Sequence, residues 1–149
     1  MGTRGARGCV TRRMASSQGA AVVEFALLMP LFLMIVFGAI DFGVAINRHT
    51  VMNNSAREGA REGVFNPDAD QVSAVVRNTL TGIRPEEVDV VVSCLDGEGT
   101  ETGCGENAES GGTVVVSLTY TNEFITPAPV FVGIGQTMDL TAEVRMRIE

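Results

Sequence analysis

The chain has 149 residues, 45% of them hydrophobic, with a formal net charge of −7 and no lysine, so that all eleven basic residues are arginine. This is one domain of ordinary size plus a membrane segment, and its acidic balance argues against nucleic acid as a partner. The single histidine, His49, lies beside the membrane segment and reads as an interfacial polar residue; with no nucleophile–base pair assembled around it and no phosphate loop, no catalytic residue, metal or cofactor is expected.

Residues 1–19 form a basic leader, with Arg4, Arg7, Arg12 and Arg13 and no acid among them. The positive-inside bias holds such a leader in the cytoplasm and sends the C-terminus out, since Arg48 alone stands on the far flank. Taken alone, the leader reads as a disordered tail. Residues 20–46, AAVVEFALLMPLFLMIVFGAIDFGVAI, hold only two charged residues, Glu24 and Asp41. As a helix rising about 1.5 Å per residue, the run is long enough to cross the ~30 Å hydrocarbon core of a bilayer. Pro30 removes one helix hydrogen bond and marks a bend or an ordinary membrane-helix proline. Ionised carboxylates in a bilayer are costly and usually paired. Asp41, near the outer interface, is expected to reach water. Glu24, at the inner edge, needs a cation once copies of the helix pack together.

Residues 47–149 are expected to fold outside the membrane. In VMNNSAREGAREGVF, Val51, Met52, Ser55, Ala56, Gly59, Ala60 and Gly63 share one small, mildly apolar face. Arg57 and Arg61, like Glu58 and Glu62, are four apart and stack on the helix surface. One helix from Ala20 to about Glu62 would measure some 65 Å. Asn66 is then a candidate N-cap, with Pro67 at the first position of a second helix that carries Val72, Val75, Val76 and Leu80 and ends at Gly82.

Three strands follow, read from strict alternation. Val88, Val90, Val92 and Cys94 share the inner face of the first, and Val114, Val116, Leu118 and Tyr120 that of the second. Met138, Leu140, Ala142, Val144, Met146 and Ile148 share that of the third. The fold class is therefore α+β: a long N-terminal transmembrane helix extending outside the membrane, a short second helix, and a small antiparallel sheet that the helices cover. Between the first two strands, residues 96–112 carry Asp96, Glu98, Glu101, Glu106 and Glu109. Oxygen ligands on a flexible loop suit calcium, but the spacing departs from an EF-hand, and a solvated connection is the simpler reading. Cys9 falls on the reducing side of the membrane; Cys94 and Cys104 fall where oxidation is permitted, and a disulfide between them is expected.

The order basic leader, Gly19, Ala20, Glu24, Phe25, long apolar helix resembles the type IV pilins. More closely, GAAVVEFALLMPLFLMIVFGAIDFG followed by SAREGAREGV resembles the TadE-like minor pilins, or pseudopilins, of the tight-adherence (Flp) pilus. TPAPV and the last strand carry a fainter echo. The resemblance implies a pilin-like fold and cleavage between Gly19 and Ala20 by a prepilin peptidase. It makes Glu24 and Phe25 the pilin motif, and Arg57, Glu58, Gly59 and Arg61 part of the family motif. It implies a single-pass protein of the bacterial cytoplasmic membrane whose partners are the peptidase, other pilins and the assembly platform, with a role in pilus assembly and surface adherence. The competing reading is a secreted or single-pass envelope protein with an ordinary secretory signal, cut after Gly43-Val44-Ala45 and binding something unrelated to pili. The apolar run is longer than such signals usually are.

Overall fold

A computed structural model of the chain describes residues 16–105, 108, 110–131 and 133–149. The leader arginines, Cys9, Glu106 and Glu109 lie outside the described residues. The chain divides into two compact units, Met1–Val36 and Phe37–Glu149.

The first unit holds the start of α1, which runs Ser16–Phe65 and contains Pro30. The helix thus begins before the Gly19–Ala20 junction and continues three residues past Glu62. Leucines, valines and phenylalanines from Val22 to Ile35 stand exposed all round it. A side-chain surface apolar on every side is that of a helix meant for lipid or for other helices. Within α1 an 18-residue window reaches a mean hydropathy of 2.5 with none of that window buried, and the helix is long and apolar enough to cross a membrane.

The second unit is an α+β domain. The rest of α1 is followed by α2 (Ala69–Thr79), a 3-10 turn at Pro85–Glu87, β1 (Val88–Leu95), β2 (Thr113–Glu123), the short α3 (Ala128–Phe131) and β3 (Thr137–Arg147). The strands form one antiparallel sheet in the order β1-β2-β3. Val92 pairs with Val116, and Val116 with Val144, so the alternating valines of the three strands share a face. Against that face lie Met52, Ala56 and Ala60 of α1, Val72 and Val76 of α2, and Leu80 just after it, all in one buried core. Fully burying a valine or leucine side chain contributes about 1.5–3 kcal/mol. This one layer of helix on one layer of sheet is the domain's main source of stability.

Three local expectations are corrected. The N-cap of α2 is Asp68, not Asn66: its Oδ1 accepts from the Asp70 N–H at 2.9 Å and the Gln71 N–H at 3.4 Å. Pro67 therefore precedes the helix, and Asn66 instead donates from its side chain to Gln71 Oε1. The helix stops at Thr79 with Leu80 as its cap, two residues short of the expected glycine stop; Gly82 takes a left-handed turn, φ 75°, in the connection to β1. Met138, placed on the inner face by alternation, is 37% exposed, because the covering core begins only at Leu140.

Candidate functional site

Gly19, Ala20, Glu24 and Phe25 all lie on α1 and are exposed. Ala20 and Glu24 are one turn apart and so share a helix face. Among the described residues Glu24 has no ion pair. Pro30 sits inside the helix without ending it.

Asp41 does not reach water. It is 2% exposed, and its carboxylate is taken up by the segment after β2. Oδ1 accepts from the backbone N–H of Ile125 at 2.9 Å and of Thr126 at 3.2 Å, and Oδ2 accepts from the Thr126 hydroxyl. A carboxylate that accepts from two backbone N–H groups and a hydroxyl can stay buried, because its lone pairs are satisfied by charge-assisted bonds. The Thr126-Pro127 step of TPAPV is thereby pinned to α1 across 85 positions of sequence.

About two turns further along α1, two more side chains tie the helix to the sheet. Arg48 Nη1 donates to the buried Asn122 Oδ1 at 2.6 Å, and its guanidinium lies 5.7 Å from the centre of the Tyr120 ring. His49 Nε2 lies 3.1 Å from the Thr141 carbonyl. Arg48, Tyr120, Phe124 and Ile125 line an open cleft of about 500 Å³ together with Arg84, Glu87, Thr121 and Glu123. Arg84 is already paired with Glu87.

The AREGAREG segment divides by chemistry. Arg57, Glu58 and Arg61 are exposed and have no ion pair among the described residues, while Gly59 and Gly63 are buried. A Cβ on Gly59 would stand 2.3 Å from Val76 Cγ2, and one on Gly63 would stand 2.9 Å from Val114 Cγ1. Glycine is required at these positions by close approach, to α2 at the first and to α2 and β2 at the second. Charged residues of the repeat thus face outward from the seam its glycines make.

Cys94 is fully buried at the end of β1 and is disulfide-bonded to Cys104, with 5.1 Å between the Cα atoms. Asp96 spends one carboxylate oxygen on the N–H groups of Glu98 and Thr100, at 2.9 and 2.8 Å, which turns the chain back toward Cys104. Its carboxylate organises the loop's own backbone.

The contacts of Asp41 with Ile125 and Thr126 and of Arg48 with Asn122 were not foreseen from sequence. The sequence signal for Asp41 is an acid in an apolar run; Asn122, which continues the inward register of β2, was not singled out.

Comparison with known proteins agrees with the resemblance drawn from these residues. No curated protein and no solved structure matches the chain. Residues 19–61 match the TadE-like protein family, a stretch that begins at Gly19 and takes in Asp41 and both arginines of AREGAR. Over these residues the chain is similar to the TadE-like family, and α1 is long and apolar enough to span a membrane.

Proposed function

We propose that the protein is a minor pilin of a Tad pilus and that its role is structural, without catalysis or cofactor. A prepilin peptidase removes the leader between Gly19 and Ala20, and the processed chain takes part in pilus assembly and surface adherence. The observation that carries this reading is the TadE-like match opening at Gly19, on a helix whose apolar surface is exposed all round. In the membrane that surface faces lipid; in a filament it faces the helices of other pilins. Removing the leader discards four arginines that resist extraction from the bilayer, and frees an α-amino group as a cation for Glu24. The N-terminus is held inside and the C-terminal domain outside by the same four charges.

An ordinary signal-peptidase cut before Ile46 fits poorly. It would fall within α1, a continuous helix, and would remove Asp41 from the N–H groups of Ile125 and Thr126.

Glu24→Ala tests the assembly role. The variant is expected to insert and be processed normally but to enter sheared pilus fractions at less than about a tenth of the wild-type level. Loss of a buried charge partner costs ~3–5 kcal/mol, whereas at an exposed edge the change is close to neutral. Normal incorporation would show that Glu24 is only an interfacial residue.

A further inference from the structure

The segment between β2 and β3, FITPAPVFVGIGQ, runs from Phe124 to Gln136 without a charged residue. Four of its large side chains are exposed: Ile125 66%, Val130 47%, Phe131 75% and Ile134 63%. The segment closes on itself through the Phe124 N–H to the Gln136 carbonyl at 2.9 Å and the Ile134 N–H to the Pro129 carbonyl at 3.0 Å, so part of its backbone demand is met internally. Its position is fixed by Asp41, which holds Ile125 and Thr126 against α1. Asp41 lies five residues inside the apolar run that ends at Ile46, about 7.5 Å along the helix axis. On the same stretch of α1, Ile40, Phe42 and Ile46 are exposed.

An uncharged loop with four outward apolar side chains, tied to a membrane helix inside its apolar run, is placed where acyl chains meet headgroups. We infer that residues 124–131 and 133–136 dip into the leaflet on the side of the C-terminal domain, with Phe131 and Ile134 as the inserted side chains. The occupant of this apolar face is thus a lipid surface. Irregular backbone does not enter the hydrocarbon core itself, so the depth is interfacial, roughly 5–10 Å into the headgroup boundary. Such a contact gives the domain a second point of attachment beside α1 and limits how it can swing about the helix before assembly. A large exposed apolar patch on a protein normally marks such a partner. The inference rests on the reading of residues 20–46 as membrane-spanning, and the test separates the two.

Single cysteines are placed at Phe32, Glu98, Phe131 and Ile134 in the full chain carrying Cys9→Ser, with the Cys94–Cys104 bond left oxidised. Each is labelled with an environment-sensitive fluorophore in phosphatidylcholine–phosphatidylglycerol vesicles, and quenching is read with lipids spin-labelled near the headgroup for the three outer sites and near the end of the acyl chain for Phe32→Cys, which lies mid-span. Phe131→Cys and Ile134→Cys are expected to be quenched at least threefold more than Glu98→Cys, with blue-shifted emission. Quenching of both at the Glu98→Cys level, while Phe32→Cys is strongly quenched, would overturn the inference and leave the spanning helix standing. A blue shift that grows with protein-to-lipid ratio, without lipid quenching, would overturn it in favour of a second copy of the chain. Failure of Phe32→Cys to be quenched would remove the spanning helix and the inference with it.

Discussion

Asp41 carries the sharpest residue-scale consequence of the fold. Removing a carboxylate that accepts from two part-buried backbone N–H groups takes that acceptor from both, at about 2–3 kcal/mol. In Asp41→Ala, amide hydrogen exchange at Ile125 and Thr126 is expected to accelerate by roughly 30- to 150-fold, since each 1.4 kcal/mol is a factor of ten. Unchanged exchange at those two amides would mean that the carboxylate does not hold the loop. The disulfide belongs to the same scale. A ten-residue separation between Cys94 and Cys104 constrains the unfolded chain by about 2–3 kcal/mol. The double variant Cys94→Ser, Cys104→Ser is expected to melt several degrees lower by circular dichroism in detergent; an unchanged midpoint would contradict this.

At the scale of elements, the seam between α1 and α2 is set by Gly59. Exposed helix positions gain up to about 1 kcal/mol when glycine becomes alanine. Here the added Cβ meets Val76 Cγ2 at 2.3 Å, and overpacking costs about 1–3 kcal/mol. Gly59→Ala is therefore expected to lower the melting midpoint of the full chain, whereas Arg57→Ala, on the exposed face, stays within ~0.5 kcal/mol of wild type. Stabilisation by Gly59→Ala would place the α1–α2 seam elsewhere.

Most of the element plan was legible in the sequence. The apolar run announced α1, and period-two alternation announced the three strands, because both patterns are imposed locally by burial. The cap of α2 was also readable in principle: Asp68 followed by Gln71 is a capping-box spacing, yet the Asn66-Pro67 pair gave the more familiar helix start. What was not legible is whatever depends on partners far along the chain. No local pattern tells Asp41 that its donors are Ile125 and Thr126, or Arg48 that it will meet Asn122. Met138 shows the same limit in reverse: its alternation was correct, but the cover it needed stops at Leu140. In AREGAREG the spacing was plain, while the division into glycines that pack and arginines that face outward emerged only once α2 and β2 were in place.

At the scale of the whole molecule, the chain joins an apolar helix surface that is exposed all round to a domain with its own core. On the proposed reading, that surface meets lipid first and the helices of other subunits later. The stretch similar to the TadE-like family, residues 19–61, covers most of α1 and the AREGAR face. The remainder of the domain, residues 62–149, is acidic, with 4 basic residues against 15 acidic ones. The account turns on where the mature chain begins. Intact-mass measurement of the protein extracted from membranes of cells that express a prepilin peptidase is predicted to give a chain starting at Ala20. A chain that retains Met1, or one that starts at Ile46, would contradict the minor-pilin assignment.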